Sequence, residues 1–277
     1  MKNIKLVATD LDGTFLKNDR SISANNLNAL HLLGSRNIVR VVATGRNFRK
    51  VTEVIHPEVP FDYIVYSSGA GVYDWKGQKH LYNQNISVES SNILLEYFKS
   101  KRYNFYVFDQ APDNHKLWFH RGEGDCPEFN LYLSLHKYFA APIPAKGLIN
   151  NNMCQFLIII PEDETTFSEL KNEIESQCNE IRVIRSSSPV TKGYIWVEIF
   201  HKMVSKGNGV RLICDMQGIN PRDTFGIGND YNDLDLLEFT ACSFITENAP
   251  KGIKNRFIAA PSNENDAFAN AVSYLLS

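Results

Sequence analysis

The chain has 277 residues, enough for one large domain or two ordinary ones, and its 43% hydrophobic and 22% charged residues exclude a disordered or fibrous protein. A net charge of -2 without a basic block argues against nucleic-acid binding, and no apolar run approaches the about 18 residues of a membrane span. The start of the chain lacks a signal-peptide core, and five scattered cysteines fit a reducing compartment. We therefore expect a cytoplasmic protein with no nucleic-acid or membrane partner.

The first part of the chain alternates predicted strands with predicted helices. The apolar run at residues 4–9 predicts a strand buried on both faces, and Ser23 is a predicted cap for a helix that ends near Arg36. Further along, the pattern predicts a strand at 38–43, a helix at 48–54 and a strand at 63–66. This alternation is typical of βαβ units and a parallel sheet.

The middle of the chain has a different pattern. It predicts helices at 88–101, 129–139 and 165–175, a hairpin of strands 105–108 and 116–120, a strand at 155–160, and a strand pair at 181–186 and 195–200. The order indicates an α+β domain inserted into the first one.

The βαβ pattern returns near the end of the chain. It predicts a helix at 207–216, a strand at 224–227, a helix from 234, a strand at 243–245 and a helix at 267–276. The predicted fold class is therefore α/β, with a Rossmann-like parallel sheet and helices on both faces at residues 1–81 and 192–277. An α+β domain is inserted at 82–191.

The sequence Asp10-Leu11-Asp12-Gly13-Thr14 directly follows the first predicted strand. Ligands of open α/β sheets bind outside the carboxyl ends of the strands, so both carboxylates are expected to face a crevice. Two carboxylates this close repel each other unless a cation or a shared proton relieves them, and Mg²⁺ prefers such oxygen ligands. A turn that caps a helix is the alternative reading of an Asp-Gly sequence.

Three further sequences stand at strand ends or helix starts. Thr44-Gly45-Arg46 follows the second predicted strand, where a hydroxyl and backbone N–H groups can hold phosphate oxygens. Lys206 precedes a predicted helix and could neutralise a carboxylate and a phosphoryl group. An acidic loop, Gly228-Asn229-Asp230-Tyr231-Asn232-Asp233, follows another strand. Alone, each is also compatible with an ordinary cap, turn or surface charge.

The order and spacing of these four sequences resemble the haloacid dehalogenase superfamily, specifically its Cof-type phosphatases with a large inserted cap. The resemblance implies that Asp10 is the nucleophile and Asp12 the general acid/base. It implies that Thr44, Gly45 and Lys206 bind the phosphoryl group and that Mg²⁺ is the cofactor. The remaining implied residues comprise the metal ligands Asp10, Asp12 and either Asn229 or Asp230, and the supporting residues Arg46, Asn232 and Asp233.

The chain departs from the family pattern in the acidic loop. Relatives usually have aspartate where this chain has Asn229, whose amide oxygen can bind Mg²⁺ but adds no negative charge. Asp230 is therefore a rival ligand, with Asp233 as a ligand or as the residue that orients Lys206. A smaller departure is Ser68, where relatives usually have asparagine; Asn248-Ala249 matches the usual Asn-Ala segment or is a simple loop.

The function predicted from these residues is hydrolysis of a small phosphorylated metabolite through an aspartyl phosphate, with sugar phosphates as the expected substrates. The expected protein is a monomer or a weak homodimer. Sugar phosphomutase, cofactor phosphatase acting on FMN or pyridoxal phosphate, and a non-catalytic ligand-binding protein are the alternatives.

Overall fold

The computed structural model of the protein describes residues 4–144 and 149–276, which fall into two compact units. The first unit comprises Met1–Asn83 and Ser205–Ser277, and the second comprises Gln84–Val204. Within the described residues, no helix is long and apolar enough to cross a membrane.

The first segment of the first unit alternates strands and helices. Its elements are β1 (Leu6–Thr9), α1 (Ala24–Ser35), β2 (Val39–Ala43), α2 (Phe48–Thr52), β3 (Tyr63–Tyr66), β4 (Gly71–Asp74) and β5 (Lys79–Asn83). Ser23 caps α1 as predicted, because its Oγ accepts a hydrogen bond from the Asn26 backbone N–H at 3.1 Å. Asn47 caps α2 in the same way through Lys50 N.

The second unit follows with a helix-strand pattern of its own. Its elements are α3 (Val88–Ser100), β6 (Phe105–Asp109), β7 (Leu117–His120), α4 (Pro127–Leu135), β8 (Ala140–Pro142), β9 (Met153–Pro161), α5 (Glu164–Glu175), β10 (Ile181–Ser187) and β11 (Tyr194–His201). The helix predicted at 129–139 was wrong at its end, because the chain leaves α4 after Leu135 and residues 140–142 pair with β7 as a short parallel strand.

The last segment of the chain returns to the first unit. Its elements are α6 (Lys206–Gln217), β12 (Thr224–Gly228), α7 (Leu234–Phe239), β13 (Cys242–Thr246), α8 (Lys251–Lys254), β14 (Ile258–Ala260) and α9 (Ala267–Leu276). Ser205 caps α6 by accepting from Asn208 N, and Gly218 ends it in the left-handed conformation at φ 63°. A 3-10 helix at Tyr231–Asp233 lies between β12 and α7.

The sheet of the first unit has the strand order β14-β13-β12-β1-β2-β3-β4-β5 in the described residues. The strands from β14 to β3 pair in parallel, whereas β4 and β5 continue the sheet in the antiparallel direction. The β3–β4 connection is the 3-10 turn Ser67–Gly69, which is too short for the crossover that a parallel pair needs. The two edge strands, β14 and β5, and the strand β4 beside β5 were not predicted.

One face of this sheet packs against α6. Leu6, Ala8 and Val41 form a buried cluster with Val210 and Ile213 of that helix. Because side chains alternate along a strand, the buried residues Val7 and Val42 point to the opposite face. On that side α1 contacts β2 and α9. The predicted α/β class with helices on both faces is confirmed.

The second unit has a mostly antiparallel sheet with the order β10-β11-β9-β6-β7-β8. Phe105, Phe156 and Val197 on one face of the sheet form its core with Leu94 of α3 and Leu170 of α5. Because β11 pairs with both β9 and β10, the second unit extends to Val204, beyond the boundary expected at residue 191.

A buried ion pair joins β2 to the segment before β3 in the first unit. The Arg40 guanidinium donates to both carboxylate oxygens of Asp62 at 2.8 and 2.9 Å. The guanidinium also packs closely against Gly34, where a Cβ would lie 2.3 Å from Arg40 Nη1. Burial raises the pKa of Asp62, but hydrogen bonds from Arg40 and Lys76 outweigh this effect and hold the pKa below its ordinary value.

We predict that Asp62→Ala lowers the free energy of unfolding by about 3 kcal/mol, because it leaves the Arg40 charge buried without its carboxylate. Since the folded-state pKa of Asp62 is depressed, its stabilisation should persist above the ordinary pKa and disappear as the pH falls through the lowered value. Urea denaturation at pH 7 and at lower pH measures both effects.

The control is Glu53→Ala, which removes exposed ion pairs with Arg49 and Lys50 and should cost less than about 1 kcal/mol. Equal losses in the two variants would contradict the role given to the Arg40–Asp62 pair.

Candidate active site

The carboxyl ends of three neighbouring parallel strands form the candidate site. Asp10 follows β1, Thr44 follows β2 and Asn229 follows β12, while Lys206 is the first residue of α6. The register pairs Thr9 with Val42 and with Ile227, so these strands end at the same level. The structure thus brings the four predicted sequences together at one edge of the sheet.

Lys206 lies at the centre of the site, and it is only 1% exposed. Its Nζ donates to Asp10 Oδ1 and to Asp233 Oδ1, both at 2.6 Å, and Asn232 Oδ1 lies 3.5 Å away. Both aspartates are buried, so the lysine charge offsets part of two carboxylates inside the protein.

Asp233 connects this lysine to the acidic loop. Its Oδ2 accepts hydrogen bonds from the backbone N–H groups of Asn229 and Asp230 at 2.8 and 2.9 Å. The Asp230 carboxylate in turn accepts from the backbone of Asp233 and completes a capping box at the start of the 3-10 helix. Asp230 therefore caps the loop, and Asp233 fixes the loop against Lys206.

Asn229, rather than Asp230, reaches the two motif aspartates. One terminal atom of its amide lies 3.0 Å from Asp10 Oδ2, 2.8 Å from the Asp12 carbonyl oxygen and 2.9 Å from Thr14 Oγ1. An amide nitrogen at this position donates to these oxygens. In the other amide orientation, the oxygen occupies this position and accepts a hydrogen bond from Thr14 Oγ1. It then repels the oxygens of Asp10 and Asp12 unless a cation lies between them.

This arrangement fits a magnesium ion. Mg²⁺ prefers carboxylate, amide and carbonyl oxygens, and Asp10, Asn229 and Asp12 bring one of each to this position. Within the described residues, no three His, Cys, Asp or Glu side chains form a metal cluster. A cation at this position would therefore use the Asp10 carboxylate, the Asn229 amide oxygen and the backbone carbonyl of Asp12.

The carboxylate of Asp12 points elsewhere. It accepts two hydrogen bonds from Arg46, from Nε and from Nη2, both at 2.6 Å, and it is half-exposed. The structure thus separates the two motif aspartates, because Asp10 is buried beside Lys206 and Asp12 lies at the solvent side. As a metal ligand, Asp12 would act through its main chain rather than through its side chain.

Thr44 and Gly45 line the same crevice. Thr44 is buried, and its Oγ1 accepts from the Arg46 backbone N–H at 3.1 Å, so its own hydroxyl hydrogen remains to donate. A Cβ on Gly45 would lie 3.6 Å from Asn232 Nδ2 and from Ser68 Oγ. Polar groups from two other segments therefore lie beside the glycine, as expected for a site that holds an anion.

The protonation of Asp10 and Lys206 depends on their burial and on the charge of Asp233. Burial, with repulsion from Asp233, raises the pKa of Asp10 to about 7, although Lys206 acts in the opposite direction. Burial lowers the pKa of Lys206, but Asp10 and Asp233 together raise it above its ordinary value. Lys206 therefore stays charged, and the two carboxylates compete for it.

Comparison with known proteins gives the family. A family model described as haloacid dehalogenase-like hydrolase matches residues 7–272. The chain belongs to the haloacid dehalogenase-like hydrolases. The resemblance inferred from the four motifs is confirmed, and so is the prediction that the protein is a hydrolase.

Two similar curated proteins come from Bacillus subtilis (strain 168). The 5-amino-6-(5-phospho-D-ribitylamino)uracil phosphatase YwtE is 25% identical over 292 residues, which cover 99% of each chain. The phosphatase YwpJ is 24% identical over 287 residues, covering 99% of this chain and all of that protein. A structure of a haloalkanoate (HAD) superfamily phosphatase from Bacteroides thetaiotaomicron has the same fold, with a TM-score of 0.79 at 16% identity and coverage of 98% and 94%.

Sequence reasoning missed three contacts of the site. It did not pair Asp12 with Arg46, it gave no function to the Thr14 hydroxyl, and it did not foresee that Asn248 Nδ2 donates to Gly13 O at 2.8 Å. The positive φ of Gly13, 76°, and its contact with the Asn229 amide explain why the motif needs glycine there. Only the motif position of Thr14 and Asn248 could have suggested these contacts.

We predict opposite stability effects for two similar substitutions, measured by denaturation in a chelator at pH 8. Asp233→Asn should lower the free energy of unfolding by about 2 kcal/mol or more. Both Asp233 oxygens accept hydrogen bonds, so the amide nitrogen of the new asparagine would face another donor, either Lys206 or the N–H groups of the loop. Asp10→Asn should raise the free energy of unfolding, because the Asp10 pKa of about 7 means that its ionisation opposes folding at this pH.

The effect of Asp10→Asn depends on pH. The folded-state pKa of Asp10 lies above its unfolded value. The Asp10 carboxyl group therefore stabilises the fold while it is protonated at low pH, and this stabilisation is lost as the pH rises through about 7. The gain from Asp10→Asn should therefore vanish near pH 4. A gain that is the same at both pH values would contradict the shared-charge description.

Proposed function

We propose that this hydrolase is a Mg²⁺-dependent phosphatase that acts on a small phosphorylated metabolite through an aspartyl phosphate on Asp10. The observation that carries the proposal is the buried Asp10 carboxylate, held by Lys206 on one oxygen and facing Asn229 with the other. A fixed, desolvated carboxylate beside a cationic group is suited to attack phosphorus, because the developing negative charge meets a positive charge already in place.

Phosphoryl transfer then proceeds in two displacements. In the first, a carboxylate oxygen of Asp10 attacks phosphorus, the bond from phosphorus to the ester oxygen breaks, and the leaving oxygen takes a proton from Asp12. In the second, Asp12 takes a proton from water, whose oxygen attacks phosphorus and releases inorganic phosphate and the Asp10 carboxylate. Thr44, Gly45 and Lys206 hold the non-bridging oxygens.

The Arg46–Asp12 pair keeps the acid/base group at the entrance of the site. For proton transfer, one Asp12 oxygen must turn from Arg46 towards the leaving oxygen. The guanidinium can hold the other oxygen during this step, because its two N–H donors bind the carboxylate separately. Arg46 is thus a positioning residue for Asp12.

The residues that would hold Mg²⁺ are Asp10, Asn229 and the backbone carbonyl of Asp12. When bound, the ion offsets charge on the carboxylate and the phosphoryl oxygens. The geometry favours Asn229 over Asp230 as the third ligand, because the Asp230 carboxylate caps the 3-10 helix.

We propose sugar phosphates and related polyol phosphates as the substrate class, with the second unit as the cap domain that selects among them. The superfamily resemblance and the phosphoribityl substrate in the name of one relative support this class. Five free cysteines accord with a cytoplasmic location. We retain monomer or weak homodimer as the proposed state.

The first test is phosphate release from a panel of sugar, polyol, nucleotide and cofactor phosphates. We expect release in Mg²⁺, loss in chelator, and a fall of about 1,000-fold or more in kcat for Asp10→Asn, because the nucleophile is removed. Activity near the normal level in Asp10→Asn would contradict the mechanism. Interconversion of sugar phosphate isomers with little release would instead identify a mutase.

The second test separates the rival metal ligands. Asn229→Asp should lower the Mg²⁺ concentration for half-maximal activity about tenfold, because a carboxylate adds one negative charge at the ligand position. The matched control is Asp230→Asn, which keeps a good capping side chain and should leave the titration unchanged. A shift in Asp230→Asn but not in Asn229→Asp would assign the ligand to Asp230.

A further inference from the structure

The 3-10 turn between β3 and β4 carries a buried hydroxyl that the mechanism above does not use. Ser68 is 1% exposed, and among the described residues its Oγ has no hydrogen-bond partner. An unmatched buried hydroxyl is unfavourable for folding, because the group loses its hydrogen bonds to water and gains none. A hydroxyl retained at such a position is a candidate for binding a ligand atom.

The backbone of this turn is strained. Ser67 and Ser68 have φ values of 49° and 54°, a left-handed conformation that is unfavourable for residues other than glycine. Three hydrogen bonds hold it: Ser67 N donates to Arg46 O, Ser68 N to Thr44 O and Ala70 N to Ser67 O, at 2.8–2.9 Å. The strained residues are thus tied to the segment that contains the proposed phosphate-binding Thr44.

The turn also contacts the start of α6. A Cβ on Gly69 would lie 2.1 Å from the backbone oxygen of Ser205, the residue before Lys206, so only glycine allows this approach. The turn therefore packs against both segments to which we assign phosphoryl binding.

The orientation of the Ser68 side chain completes the argument. Its Oγ and Asn232 Nδ2 both lie 3.6 Å from the position of a Cβ on Gly45, and the other end of the Asn232 amide lies 3.5 Å from Lys206 Nζ. The Ser68 hydroxyl therefore lines the same crevice as Gly45 and Asn232, near the Lys206 ammonium group that donates to Asp10.

We propose that Ser68 contacts the substrate, and that its hydroxyl donates a hydrogen bond to a non-bridging oxygen of the phosphoryl group. The inference rests on the proposed phosphatase function, because that function puts a phosphoryl group in this crevice. Ser68 adds a neutral donor on the side of Gly45, whereas Lys206 supplies the positive charge. The left-handed backbone of the turn places this hydroxyl in the crevice beside Gly45.

The test is the affinity of the magnesium-loaded protein for inorganic phosphate, measured by isothermal titration calorimetry. Ser68→Ala and Ser68→Gly should each raise the Kd about tenfold, the effect of losing one hydrogen bond to a charged oxygen. Glycine accepts the left-handed backbone without strain, so equal losses in both variants assign the effect to the hydroxyl. Unchanged binding in Ser68→Gly overturns the proposal, even if Ser68→Ala binds weakly.

A matched control comes from the second unit. Ser91 on α3 is also fully buried, and its Oγ likewise has no partner in the described part of the chain. Ser91→Ala should leave phosphate affinity unchanged, and an equal loss there would contradict a local role for Ser68.

The calorimetric measurement separates this proposal from the one on which it rests. A wild-type protein that binds phosphate but releases none from any ester contradicts the phosphatase, while the Ser68 variants still decide the contact. A wild-type protein that does not bind phosphate overturns the Ser68 proposal.

Discussion

The shared lysine is the interaction on which the rest of the site depends. Lys206 is buried between Asp10 and Asp233, so one positive charge faces two carboxylates where water cannot screen them. Removing Lys206 would leave two buried carboxylates without their counter-charge, whereas removing the charge of Asp10 would leave Lys206 and Asp233 as a balanced pair. The triad therefore fixes β1, α6 and the acidic loop relative to one another, and it leaves a net negative site that suits a divalent cation.

The parallel sheet explains why residues so distant in sequence form this triad. Asp10 and Lys206 are separated by 196 positions, yet both lie at the carboxyl edge where neighbouring strands end together. The same edge receives Thr44 from β2 and the strained turn after β3. Each segment is held by backbone hydrogen bonds to its neighbour, so the side chains of the site are positioned by the sheet rather than by flexible loops.

The acidic loop shows how one substitution from the family pattern is accommodated. Asn229 can present either end of its amide to Asp10 and the Asp12 carbonyl, whereas an aspartate could only add a further negative charge. Asparagine therefore avoids a further negative charge beside the oxygens of Asp10 and Asp12, and it would be a weaker ligand than aspartate for a metal ion. Asp233 and Asp230 stabilise the loop conformation, since the carboxylate of each accepts backbone hydrogen bonds within the loop.

Local chemistry in the sequence determined most strands, most helices and the motifs of the site. Apolar runs buried on both faces identified β1 and β2, Ser23 identified the start of α1, and Asp10, Thr44 and Lys206 were found from their places at element ends. Tertiary structure alone decided the Arg46–Asp12 pair, the capping role of Asp230 and the buried position of the Ser68 hydroxyl. These depend on side-chain directions and on contacts between distant segments, which spacing along a chain does not encode.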